Sequence, residues 1–373
     1  MTAANPGLEG VVAAETRLSS VDGQAGELII AGFPLEAFAD RASFEETIFA
    51  LWNDRLPAAA ELERLRGELA ARRELPALTV ELLRGAAREK VAPMDALRMA
   101  AGTLHGDEAD PRGTGLTILA QLPTIVASYW RLLQGQEPVA PDPALGHAAN
   151  FLLMLRGEAP GAEQVRGLET YLNTVVDHGL NASTFTARVI TSTQSDLVSA
   201  ITGAIGALKG PLHGGAPGPA LDMVFEIGAP ENAEAYLRAK LARGERLMGF
   251  GHRIYKVRDP RAEVLGRAAR QLYQTDGDTR LYDLTRHVEE TAVRLLAEHK
   301  PGRNLQTNVE FYTALLLYGL GLPTELFTPV FTIGRAAGWL AHCFEQQAVG
   351  RIIRPQSVYE GPRDRQWVAV GER

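Results

Sequence analysis

The sequence predicts a mainly α protein, a multi-helix bundle with a small β-element at its N-terminus. Three observations carry this. Apolar residues recur at helical spacing through most of the chain, between Gly and Pro breakers. Strand character is confined to Val11–Gly32. No alternation of strands with helices, internal repeat or low-complexity tract follows.

Taken in order, Val11–Gly32 carries β-branched runs around the turn Asp22-Gly23. Ser43 opens a capping box with Glu46, ahead of Ile48, Leu51 and Trp52. Leu62–Arg73 is charged and amphipathic, whereas Met94–Leu104 and Thr114–Leu133 are more apolar. Further helices are expected over Leu145–Leu155, Ala162–Asp177, Ser195–Ala207, Asn232–Ala242, Arg261–Tyr273, Leu281–Glu298, Val309–Tyr318 and Phe331–Gln347. Gly157, Pro160, Gly210-Pro211, Gly218-Pro219 and Pro301-Gly302 separate them.

A chain of 373 residues suffices for one large or two unequal domains. With 46% hydrophobic and 22% charged residues it has an ordinary globular composition. A formal charge of −7 argues against general nucleic-acid binding. The single cysteine, Cys343, permits no internal disulfide. Met1–Gly10 lacks the basic stretch and apolar core of a signal peptide. The most apolar region, Phe311–Leu340, is broken by Pro323, Glu325, Pro329 and Arg335, so no membrane span is expected. The expected location is the cytoplasm.

Several chemistries are excluded. GPLHGGAPGP lacks the Gly-Lys-Ser/Thr ending of a phosphate loop, and no G-x-G-x-x-G follows a strand signal. The eight histidines form neither H-E-x-x-H nor a Cys/His cluster, so no metal site is expected. No G-x-S-x-G elbow is present.

What remains are histidines, arginines and one glutamate at breaks between helices. His213 follows Gly210-Pro211-Leu212, just ahead of a helix start suggested by Pro217 and Pro219. A helix N-terminus would keep it neutral, able to donate to a developing enolate oxygen; a plain loop histidine is as good a reading of this motif alone. His252 follows the tight segment Met248-Gly249-Phe250-Gly251 and precedes the cations Arg253, Lys256 and Arg258. These cations could receive carboxylate or phosphate groups or form a solvated basic loop. Asp259-Pro260-Arg261 has the form of an N-cap, a proline at N1 and an arginine misplaced for the helix dipole. Glu310, in Thr307-Asn308-Val309-Glu310, closes a capping box or serves as a base strengthened by burial beside Phe311 and Tyr312. Arg335 lies among Gly334, Ala336, Ala337 and Gly338 in an apolar helix, where a cation requires an anion from protein or substrate. Arg354 precedes Pro355 near the C-terminus, and His178, beside Asp177, could bind a carboxylate or end a helix.

Together these segments resemble the citrate synthase family. GLEGVVAAET, SFEETIFALW, DHGLNAS, GPLHGGA, MGFGHRIYKVRDPRA, TNVEFY, GRAAGWLAHCFEQ and RPQSVYEG stand in the family's order through almost the whole chain. The resemblance implies a helical homodimer of two-domain subunits, with residues 1–214 and 322–373 forming the large domain and 215–321 the small one. It implies that acetyl-CoA and oxaloacetate bind between them and need no other cofactor. By the same resemblance His213 stabilises the enol of acetyl-CoA, Glu310 removes the methyl proton and His252 polarises the oxaloacetate ketone. Ser183 orients His213, and Asn181 belongs to the substrate-binding set. His178, Arg261 and Arg335 hold carboxylates, and Arg354 reaches across from the partner subunit. A CoA site is expected at Met248, Gly249, Phe250, Gly251 and Lys256, with Lys300 and Arg303 as further phosphate partners.

The chemistry agrees. A weakly acidic α-proton needs a base on one side and an oxyanion donor on the other, and a dicarboxylate needs forked cations. The chain departs from the family pattern at Glu310, where aspartate is usual, at Gly179 for glutamate, at Pro217 for asparagine and at Ala31 for arginine. These changes bear on acyl-CoA choice and rate. The alternatives are a 2-methylcitrate synthase using propanoyl-CoA, since one methyl group changes binding by only about 1–3 kcal/mol, and a non-catalytic paralogue that binds acyl-CoA or a dicarboxylate. A purely structural bundle leaves Arg335 unexplained.

Overall fold

The N-terminal strand signal becomes a hairpin in the computed structural model of the chain, which describes residues 7–214, 217–252 and 254–373. Gly215, where the small domain was expected to begin, Arg253 and the first six residues lie outside that description, as does the side chain of Pro217. β1 (Ser19–Asp22) pairs antiparallel with β2 (Glu27–Ile30), and the short β3 (Phe33–Pro34) extends the sheet in the order β1-β2-β3. The Asp22 carboxylate closes the turn by accepting from the amides of Gln24 and Ala25 at 2.8 and 2.9 Å. Residues 11–18, expected to share this strand character, stay outside the strands. They join the sheet through one bond, from the Ala31 amide to the Leu18 carbonyl.

Helices fill the rest. In chain order they are α1 (Leu35–Phe38), α2 (Phe44–Asn53), α3 (Ala59–Ala70), α4 (Ala77–Arg88), α5 (Pro93–Ala101), α6 (Pro111–Leu133), α7 (His147–Arg156) and α8 (Ala162–Val175). Then come α9 (Ala182–Ser192), α10 (Leu197–Leu208), α11 (Pro217–Ile227), α12 (Ala233–Ala242), α13 (Pro260–Asp276), α14 (Arg280–His299), α15 (Val309–Gly319) and α16 (Phe327–Val349). The capping box at Ser43 forms in full: its hydroxyl accepts from the Glu46 amide while Glu46 reaches back to the Ser43 amide at 2.8 Å. α4 and α9, absent from the sequence expectation, are real helices; α16 starts one turn earlier than expected, with Pro329 tolerated in its first turn.

α16 is the centre of the fold, packed against α6, α8, α9 and α10. Its small residues explain how closely it approaches α8. A Cβ on Gly338 would lie 2.2 Å from the Val176 carbonyl oxygen, and one on Gly334 would lie 2.7 Å from the Val175 side chain. α6 is long and apolar enough by composition to cross a membrane, contrary to the expectation of no such segment. Fifteen of its residues are buried against neighbouring helices, which is how a core helix behaves. α13 packs on both α8 and α15, tying the 250–320 region to the central helices.

Candidate active site

Sequence-distant loops converge on a cavity of about 1000 Å³. His178, Asn181, His213, Gly251, His252, Arg261, Glu310 and Arg335 all line it. Each is held for a local reason.

Asn181 is the N-cap of α9, its Oδ1 accepting from the Thr184 amide at 3.1 Å and lying 2.8 Å from the Ser183 hydroxyl, whose one proton is shared between it and His213 Nε2. Ser183, just behind the cavity wall, grips His213. Its amide N–H lies 3.3 Å and its hydroxyl 2.7 Å from Nε2. An amide can only donate, which places the proton of the neutral imidazole on Nδ1, the nitrogen α9 leaves free. The Ser183 oxygen in turn accepts the Trp339 indole N–H from α16 at 3.0 Å. Burial, and then the charge of Arg335, pushes the His213 pKa down to about 4. Burial and the neighbouring cation are enough to keep it neutral. Removing the grip moves the imidazole without removing it: if His213 is catalytic, Ser183→Ala lowers kcat about 10- to 100-fold, in line with the cost of a displacement of ~1 Å, while KM changes little. Steady-state kinetics on the purified variant checks this.

His252 is fixed from the other side. The amides of Ile254 and Tyr255 both donate to its Nδ1 at 3.1 Å, which favours the proton on Nε2; the Arg261 Nη2, also a donor, stands at the longer 3.4 Å from that nitrogen and is bonded to Asp259 at 2.7 Å. Burial and the adjacent Arg261 guanidinium, 3.4 Å from Nε2, push its pKa down to about 4. His178 is buried, its Nε2 3.2 Å from the Tyr255 hydroxyl. Burial and the charges of Arg261 and Arg335 hold its pKa well below the ordinary value.

The two buried arginines differ in their partners. Asp259 caps α13, Pro260 is its first residue, and Arg261 follows, as the sequence suggests. The cation is not misplaced, because the capping carboxylate binds it in a fork, Nε to Oδ1 at 3.0 Å and Nη2 to Oδ2 at 2.7 Å. Arg335 has no such partner. Its Nε donates to the Val175 carbonyl at the C-terminal end of α8 at 2.6 Å, and the guanidinium lies 4.8 Å over the Phe331 ring. Its terminal nitrogens bond to nothing among the described residues and line the cavity. Burial pushes its pKa down to about 10, against the opposing pull of Asp177. Asp177 is itself fully buried; burial alone would raise its pKa, but His342 and Ser19, which bond it, and the charge of Arg335 hold it below the ordinary value.

The expected capping box at Thr307–Glu310 does not form. Asn308 caps α15 by accepting from the Glu310 amide at 3.0 Å, while Thr307 donates to Glu289 at 2.7 Å. The Glu310 carboxylate is left without a hydrogen bond among the described residues. Burial raises its pKa, and Arg261 only partly offsets this. The glycines of Met248-Gly249-Phe250-Gly251 have a packing role. Phe250 pairs with Thr307, Gly251 donates to the Gln306 carbonyl at 2.7 Å, and the Asn308 amide and side chain donate to Gly249 and Gly251 at 2.9 Å. Gly249 has φ +84°, and a Cβ there would lie 2.7 Å from the Phe311 ring. The loop of His252 and the helix of Glu310 are therefore one packed unit.

Of the expected CoA residues, only Gly251 lines the cavity; Met248 and Phe250 pack against the core. Lys256 and Arg303 are exposed on one edge, where Asn304 donates to the Lys256 carbonyl at 2.7 Å and the Arg303 amide to the Lys300 carbonyl at 3.2 Å. Arg258 is half-exposed and paired with Glu289 at 3.0 Å. Arg354 lies on an exposed tail away from its own chain's cavity. Sequence reasoning missed Tyr255, whose ring packs against His178, His252 and Arg261, and Tyr171, which lines the cavity. An aromatic at helical spacing gives no signal that separates such a role from core packing.

The family model "Citrate synthase, C-terminal domain" matches residues 7–356. A citrate synthase from Haloferax volcanii is 41% identical, covering 98% of both chains, and citrate synthase 2 of Bacillus subtilis is 42% identical, covering 99% of both. A 2-methylcitrate synthase of Mycobacterium tuberculosis is 40% identical over 96% of this chain and 91% of its own. The crystal structure of citrate synthase from Pyrobaculum aerophilum superposes with a TM-score of 0.90 at 37% identity, covering 98% of this chain and 94% of that one.

Proposed function

The chain belongs to the citrate synthase family, and we propose that His213, His252 and Glu310 carry its reaction, the condensation of acetyl-CoA with oxaloacetate followed by hydrolysis to citrate and CoA. One observation supports this most: an unbonded carboxylate, two neutral histidines with assigned protons and a cation with free N–H groups share one cavity.

Glu310 removes a proton from the acetyl methyl group, and burial makes it a stronger base than an exposed glutamate. The His213 Nδ1–H donates to the thioester oxygen as the enol forms. His252 donates from Nε2 to the ketone oxygen of oxaloacetate, so that its carbon accepts the enol carbon. Arg261, Arg335 and His178 hold the carboxylates, and Asn181 keeps Ser183 and α9 in place. Water then cleaves the citryl thioester. We assign the CoA phosphates to Lys256, Lys300 and Arg303. The enzyme acts as a cytoplasmic homodimer in which Arg354 serves the partner's site, and residues 215–321 close as a small domain over the substrates.

The test is thiol release from acetyl-CoA and from propanoyl-CoA, each with and without oxaloacetate. Strict dependence on oxaloacetate with acetyl-CoA preferred is the expected result. A preference for propanoyl-CoA reassigns the chain to 2-methylcitrate synthesis. Oxaloacetate binding with no thiol release in either assay sinks the catalytic reading.

A further inference from the structure

We propose that the Tyr171 hydroxyl is an additional donor to the dicarboxylate, binding the carboxylate that Arg335 receives. Tyr171 stands on the last full turn of α8, one turn before Val175, whose carbonyl anchors Arg335. Its side chain is 1% exposed and lines the cavity, and its hydroxyl has no hydrogen-bond partner among the described residues.

Four of the other buried tyrosines behave differently. Tyr129 donates to the Val91 carbonyl, Tyr255 meets His178, Tyr273 donates to the Leu315 carbonyl at 3.2 Å, and Tyr312 donates to Glu289 at 2.5 Å. Tyr171 instead lines the cavity with its hydroxyl donor unused by the described residues. The charges that act on Tyr171 are those of Arg335 and Arg261, both donors only. A phenol can donate as well as accept, and a carboxylate drawn in by the two cations is the acceptor its free proton can take. A carboxylate offers about four lone-pair sites, enough for the arginine fork and one phenol together.

The inference rests on the oxaloacetate reading of this cavity and extends it. Tyr171 would be a binding residue, contributing equally to ground and transition states. Tyr171→Phe is expected to raise the KM for oxaloacetate about tenfold, as for loss of one hydrogen bond to a charged group, with kcat within about threefold of wild type. The KM for the acyl-CoA should stay unchanged. The melting temperature should not fall, because the variant removes a hydroxyl that bonds to nothing. Tyr171→His, which keeps a ring and a donor, should recover most of the affinity, and it carries the test alone if the phenylalanine variant does not fold. A KM for oxaloacetate within twofold of wild type in Tyr171→Phe overturns the proposal. So does an equal rise in both variants, or an effect on the acyl-CoA instead. Absence of oxaloacetate-dependent thiol release in the wild type is a separate failure, that of the reaction itself.

Discussion

Glu310→Gln lowers kcat by about 10²- to 10⁴-fold, the usual worth of a positioned general base. The protein should fold normally, because the carboxylate accepts no hydrogen bond that the amide would break, and oxaloacetate should still stabilise it against heat. Glu310→Asp keeps the chemistry and withdraws the base by about one methylene, which costs about 10²-fold if the backbone does not follow. The pH profile gives an independent reading. A base works only when deprotonated, so kcat/KM rises with pH through the Glu310 titration and then levels off. Burial raises that pKa above the ordinary 4.5, so the limb lies on the alkaline side of an exposed glutamate. His213 and His252, pushed down to about 4, titrate on the acid side of it. The limb should vanish in Glu310→Gln. A variant that keeps a tenth of the wild-type kcat would remove Glu310 from the mechanism.

Arg335→Gln raises the KM for oxaloacetate by about 10²-fold or more. Losing one member of a desolvated charge pair costs about 2–5 kcal/mol, and here the second member arrives only with the substrate. Arg261 cannot replace it, since Asp259 fills the Nε and Nη2 side of its guanidinium and leaves only Nη1 for substrate. Arg335→Lys should be almost as poor, because a point charge cannot both cap the α8 carbonyl and present two parallel N–H groups. The acyl-CoA KM should move far less. Circular dichroism separates loss of binding from loss of fold, and an unchanged oxaloacetate KM in a folded Arg335→Gln would show that the cation serves Asp177 alone.

The fold class was legible because its signals are local. Ser43 with Glu46, and Asp259 before Pro260, mark helix starts by residue type and spacing alone. α4, by contrast, begins after Pro76 with no side-chain cap, so its start carries no such signal. α9 is rich in Ser, Thr and β-branched residues, whose local preference is against helix. Its burial against α10 and α16 decides the matter, and only the folded chain shows that. The site divides in the same way. Histidines and arginines beside glycine breaks stand out in a sequence, as His213, His252 and Arg335 do. Tyr171 and Tyr255 look like core until their hydroxyls are followed in space, and the difference between the paired Arg261 and the unpaired Arg335 is invisible before folding.

The N-terminal hairpin touches both substrate loops. Ser19 bonds the Asp177 carboxylate and accepts the Gly179 amide at 3.0 Å, while the Gly23 carbonyl accepts the Lys256 amide at 2.8 Å. These partners are separated by roughly 160 and 230 positions along the chain, and such contacts form slowly because a long loop must close first. The hairpin packs locally on α1 but gains these two partners only once the intervening chain is in place. The wall of the cavity that carries His178 and His252 is therefore among the last parts of the molecule to acquire its shape.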